Sequence, residues 1–249
     1  MSASVIGLIV FMCVFGGALV GVYLRRVLPE HHRSAESRDL VRVATALLAT
    51  MTALVLGLLI GSAKASYDTQ GNELKQVSVN IMMLDRGLAL YGPESKAARA
   101  LLRRGVAAAV ARLWPAGSSP PSFDRSTGPD ALYESLQALS PHNESQRSIQ
   151  PQALQIAKDL AATRWLLAAQ RSGSIPMPFL VMLVGWITIL FVSFGLYAPP
   201  NATVVGTLFV CALSVSGAIF MILELDQPFE GLIQVSSEPL RSALAQLGQ

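Results

Sequence analysis

Four uninterrupted apolar runs constrain this chain more than anything else in it: Val5 to Leu24, Val43 to Ser62, Met177 to Tyr197 and Thr203 to Leu223, none holding Asp, Glu, Lys, Arg or His. A bilayer core of about 30 Å takes roughly 20 apolar residues in helical conformation, and each run meets that length. The sequence therefore predicts an all-α, polytopic membrane protein with four transmembrane helices. Charged residues make up only 14% of the chain, against about 25% in soluble domains, which disfavours a water-soluble globule. Residues 1 to 4 carry no Lys or Arg, and Arg25 and Arg26 follow the first run directly, so that run reads as a retained helix, not a cleaved signal. The other runs stop at Lys64, at Pro199-Pro200, and at Glu224 with Asp226, residues suited to a membrane boundary or a turn.

The runs divide the chain into residues 1–62 with the first two spans, a helical soluble segment over 63–174, residues 175–223 with the last two spans, and a C-terminal tail over 224–249. Positive charge does not orient it. Five Arg lie between Arg25 and Arg42, while Lys64, Lys75, Lys158, Arg164, Arg171 and Arg241 flank the other ends, so the positive-inside count nearly ties. An even number of spans places both termini and the middle segment on one side.

The middle segment reads as helices in water. Leu74, Val77, Ile81, Leu84, Leu88 and Tyr91 recur at three- and four-residue spacing, so the second membrane helix is expected to continue to the Gly92-Pro93 break. A helix from Pro93 to Trp114 follows, with Ala98, Leu101, Leu102, Val106 and Leu113 on its face. Residues 115–129 contain four prolines and two glycines and read as a loop. A short helix over Asp130–Leu139 precedes a long one from Pro141 to about Gln170, whose stripe is Ile149, Ile156, Leu160 and Leu167. These stripes are read as ordinary bundle packing.

Little in the sequence points to catalysis. The middle segment has one histidine, His142, and no cysteine, GxGxxG, GxxxxGK or GxSxG pattern. Neighbouring His31 and His32 do not share a helix face, and Cys13 and Cys211 sit inside apolar runs, so no metal site, cofactor or catalytic constellation is expected. Nor is nucleic-acid binding, since Arg99, Arg103 and Arg104 make only a small basic cluster. The charge-free spans also favour passive conduction over ion-coupled pumping.

Helix association in lipid relies on small residues and polar contacts. Gly17 and Gly21 in the first span and Gly57 and Gly61 in the second have the GxxxG spacing. In the second span Thr50, Leu54, Leu58 and Ser62 fall four residues apart on one face. In a monomer that face packs against other helices. In a ring of subunits it lines a hole, with apolar rings that gate by dewetting and hydroxyls at each end.

Several stretches resemble a known family. PEHHRSAESRDLVR, LVLGLLIGSAKASYDTQGNEL, LDRGLALYGPE and MILELDQPFEGLIQVSSEPLRSALAQLG are similar to bestrophin-like bacterial membrane proteins, and more distantly to bestrophin ion channels. The resemblance covers nearly the whole chain. It implies a homopentamer in the bacterial inner membrane, with termini and middle segment in the cytosol. It also implies a central pore lined by the second helix, with its neck at Leu54 and Leu58 and Thr50 one turn earlier. The implied partners are the lipid bilayer and small monovalent ions, chloride among them. Asp68 and Glu73 would lie near the inner mouth. Glu224, Asp226, Pro228 and Phe229 match the acidic segment that ends in Pro-Phe after the fourth helix. The chain departs from calcium-sensitive bestrophins there: only Glu230 stands where they carry a run of carboxylates, too few oxygens for calcium. Calcium gating of that type is not expected. Aliphatic residues also replace the aromatic rings of some bestrophin necks. The alternative reading is a non-conducting membrane scaffold or sensor whose cytosolic helices bind a protein partner.

Overall fold

The computed structural model describes residues 2–27, 35–115, 129–169, 177–199, 201–229 and 231–248. Among them the ordered elements are helical: α1 (Ala3–Val27), α2 (Ala35–Tyr91), a 3-10 turn (Pro93–Ser95), α3 (Lys96–Leu113), α4 (Pro129–Gln137), α5 (Glu144–Ala169), α6 (Met177–Tyr197), α7 (Ala202–Leu225) and α8 (Glu238–Gln246). Four of these, in α1, α2, α6 and α7, are long and apolar enough to cross a membrane, so the chain is an all-α membrane protein. His31 and His32, most of the 115–129 loop and the approach to the third span through Gly173 lie outside the described residues.

The chain forms two compact units. The first comprises Met1–Tyr67 and Gly173–Ile233. Its core follows from helical spacing: Val10, Val14 and Ala18 of α1, Leu59 and Ala63 of α2, Leu180, Leu183, Ile187 and Phe191 of α6, and Leu208, Ala212, Ile219 and Ile222 of α7. Glycine brings α1 and α6 together. A Cβ added at Gly17 would come within 2.9 Å of Thr188 Cγ2, one at Gly21 would overlap the Val192 carbonyl, and one at Gly195 would overlap the Ala18 carbonyl. This is the close backbone approach that packs helices in lipid, where apolar burial alone gives no drive to associate. Arg25 at the end of α1 donates to the Ala198 carbonyl just past α6, so these two helices end together. Against α7, Phe209 meets Phe11 and Phe15 edge-on, with ring centroids 5.5 and 5.4 Å apart.

The second unit comprises Asp68–Ser172 and Gln234–Gln249. From α2 it buries Leu74, Ile81, Leu84, Leu88 and Tyr91, and from α3 Ala98, Leu102 and Val106, the stripes expected from periodicity. Gly92, at φ +120°, makes the turn between them, a conformation that favours glycine. Asp85 of α2 accepts two hydrogen bonds from Arg99 of α3, both 2.8 Å. That bond, with a smaller contribution from the Gly248 amide, holds the Asp85 carboxyl below the usual aspartate range despite its burial, and raises Arg99 in turn.

Two features differ from the sequence expectation, one helix start and one helix in the tail. α5 begins at Glu144, not Pro141, because Asn143 caps it: Asn143 Oδ1 accepts from the Gln146 amide at 2.8 Å, while Gln146 Oε1 accepts from the His142 amide at 2.7 Å, a reciprocal arrangement close to a capping box. Gln146 Nε2 also donates to the Tyr91 carbonyl at 2.8 Å, so one buried side chain closes the end of α2 and the start of α5. Pro151 lies inside α5 without ending it. The second difference is in the tail, where Glu238–Gln246 fold as α8 and pack on α3. Trp114 Nε1 donates to the Val235 carbonyl at 3.0 Å ahead of α8, and the Gly248 amide to Asp85 Oδ2 at 3.4 Å after it.

Candidate functional site

Within the first unit, α2 has two unlike sides. Thr52, Val55, Leu56, Leu59 and Ala63 face the core, with Thr52, Leu59 and Ala63 buried. Their spacing of three and four residues makes one helical stripe. The opposite side carries Thr50, Leu54, Leu58 and Ser62, all exposed, with Leu54 at 70% and Leu58 at 71%. Gly57 and Gly61 lie on this open side too, where an added Cβ would meet nothing within 4 Å. The two GxxxG pairs thus behave differently within the chain: the space beside Gly17 and Gly21 is filled by α6, and that beside Gly57 and Gly61 is not.

The hydroxyl of Thr50 donates to the Ala46 carbonyl at 2.9 Å. Its hydrogen satisfied within the helix, the oxygen turns an acceptor outward. Leu54 and Leu58 offer no polar atom beyond the backbone, which the helix already satisfies. The open side thus presents an apolar surface between the Thr50 and Ser62 hydroxyls.

Asp68 and Glu73 belong to the second unit. Asp68 is exposed and Glu73 half-buried, so Asp68 is the better placed to act on ions in water.

Glu224 does something the sequence reading did not anticipate. Its carboxylate, at the end of α7 and only 4% exposed, accepts the Leu232 amide at 2.5 Å and the Ile233 amide at 3.4 Å. The turn that brings these amides back needs Gly231, whose φ is +86° and where a Cβ would overlap the carboxylate. A buried carboxylate is costly unless its oxygens are hydrogen-bonded, and two peptide N–H groups supply those bonds. Pro228 is buried, Asp226 and Phe229 are half-buried, and Glu230 lies outside the described residues. The segment that reads as an acidic motif is thus, at Glu224, a turn organised around one carboxylate. The signal was in the sequence as Gly231, seven residues past Glu224, but nothing local marks that glycine as the carboxylate's partner.

Among the described residues, no three His, Cys, Asp or Glu side chains gather in a way that would hold a metal ion. Residues 12–240 match the model of the Bestrophin-like domain. No curated protein and no solved structure matches the chain.

Proposed function

Because the chain belongs to the Bestrophin-like family, we propose that it is an oligomeric ion channel in which the open side of α2 lines the conduction path. The observation that carries this reading is the pairing of two faces on one helix, the stripe through Leu59 and Ala63 packed and the stripe through Leu54 and Leu58 exposed. Copies gathered around an axis, five in the proposed assembly, would turn Thr50, Leu54, Leu58 and Ser62 toward a shared cavity. One subunit alone cannot enclose one.

In this reading Leu54 and Leu58 form stacked apolar rings. Water leaves a narrow apolar constriction readily, so such rings close a pore to ions without a moving plug. Thr50 and Ser62 sit at either end of the neck, where hydroxyls replace part of the hydration shell. Small monovalent ions, chloride included, are the proposed cargo; an anion would require the Thr50 hydroxyl to turn its hydrogen from the Ala46 carbonyl to the pore. The proposed setting is the bacterial inner membrane, with both termini and residues 63–174 in the cytosol.

The test is electrical. Purified protein in planar bilayers is expected to conduct, and Leu54→Ala with Leu58→Ala to raise unitary conductance severalfold by widening and wetting the neck. Silence from wild type, or a current that ignores both substitutions, overturns the channel reading. A mass in detergent of about one 26.5 kDa chain does so too, whereas a stoichiometric protein partner without ion flux favours a scaffold.

A further inference from the structure

The Glu224 turn presents one side chain outward, and that side chain is apolar. Leu232, directly after Gly231, is 82% exposed, the highest value among the large hydrophobic residues described. It is held there by its own backbone: the Leu232 amide is the closer of the two hydrogen bonds to the Glu224 carboxylate. A leucine left in water by a loose loop needs no explanation. Here a buried carboxylate and a glycine at positive φ specify its position.

That position is known relative to the membrane-spanning helix. Glu224 is the last residue but one of α7, which ends at Leu225, and a hydrogen bond from its side chain keeps Leu232 within a side chain's length of that end. Met221, one turn earlier on α7, is exposed along the helix side. We propose that the Gly231–Ile233 turn is a lipid-interface anchor, in which Glu224 fixes the backbone so that Leu232 enters the bilayer boundary where α7 leaves it. The favoured occupant is lipid because the turn, at the end of a spanning helix, offers one strongly exposed apolar side chain, Leu232, between Gly231 and the half-buried Ile233. A protein interface needs a broad patch of many residues, while bilayer hydrocarbon accepts one leucine without a complementary surface. The inference requires that α7 spans the membrane and is independent of ion conduction.

Spin labelling of the full chain in vesicles of phosphatidylcholine and phosphatidylglycerol tests it. Leu232→Cys, with Cys13 and Cys211 replaced by alanine, carries a nitroxide whose collisions with oxygen and with a water-soluble nickel chelate are compared. The expected result is oxygen accessibility severalfold above that of the chelate. Higher chelate accessibility places Leu232 in water and overturns the anchor. Low accessibility to both places it against protein, as in contact with a second copy, and overturns it equally. Should the cysteine-free chain fail to fold, Leu232→Trp in the otherwise native chain gives the second readout: fluorescence quenched by lipids brominated near the headgroup supports the anchor, and no quenching beyond wild type refutes it. Adding Glu224→Gln to the labelled chain should shift accessibility toward the chelate and increase label mobility. An unchanged pattern removes Glu224 from the proposal.

Discussion

Gly21 of α1 and Gly195 of α6 each leave room for the backbone of the facing helix: a Cβ on Gly21 would overlap the Val192 carbonyl, and one on Gly195 the Ala18 carbonyl. Neither helix can accept a methyl group without moving away. Gly21→Ala and Gly195→Ala should each destabilise the chain by about 1–3 kcal/mol, the usual cost of overpacking. Gly57→Ala should have the opposite sign within a subunit, a gain of about 0.5–1 kcal/mol from reduced backbone entropy in a helix, because nothing occupies the space beside it. Thermal unfolding in detergent compares the three.

Asp85→Asn should weaken the α2–α3 hairpin by about 2 kcal/mol, since it removes a charge-assisted, two-pronged contact. The pH dependence has a defined sign. A carboxyl held below its ordinary value of 3.8 in the folded state contributes its full stabilisation above that value and loses it as pH falls toward the lower folded value. Wild type and Asp85→Asn should therefore differ fully above pH 3.8 and converge only as pH falls through the lowered folded-state value. Chemical unfolding at several pH values reads this directly.

Gly231→Ala should disturb the turn after α7 more than Glu224→Gln does. Alanine there meets both a backbone at positive φ and the carboxylate itself, whereas glutamine keeps an acceptor oxygen for the two amides that share Oε2 and loses only its charge. Hydrogen exchange at Leu232 and Ile233 is the measure: exchange should be fastest in Gly231→Ala, intermediate in Glu224→Gln and slowest in wild type.

If the chain conducts, Asp68→Lys should shift the reversal potential toward anion permeation, by an amount that shrinks as salt rises. Glu73→Gln should shift it less, because Glu73 is half-buried and Asp68 exposed. Reversal potentials under a salt gradient, at low and high ionic strength, separate the two residues.

The four membrane helices were legible because lipid demands long charge-free runs, a signal that needs no partner. The end of α2 was legible too, since Gly92-Pro93 breaks helix whatever surrounds it. Which face of a membrane helix packs was not. Gly17 with Gly21 and Gly57 with Gly61 share one spacing, yet only the first pair is filled within the chain, and the difference is supplied by Thr188 and Val192 of α6, which lie far along the sequence. Asp85 and Arg99 likewise become partners only once the Gly92 turn folds α3 back on α2. The helix start at Glu144 was within reach, because Asn143 and Gln146 stand at capping-box spacing. So was α8: Leu240, Ala243 and Leu247 recur at helical intervals, but nine residues of helix give too short a pattern to stand out from a tail. For the pore-lining assignment, the sequence supplied the face through Leu54 and Leu58, and the fold adds that this face is open.

The anchoring of α8 at both its approaches has a practical consequence for anyone handling the molecule. With the Trp114 indole holding Val235 and Asp85 receiving the Gly248 amide, the last residues are threaded into the same ion pair that joins α2 to α3. An affinity handle or fluorescent fusion appended directly after Gln249 would tug on that pair, and a spacer is needed to keep the reporter from altering what it reports.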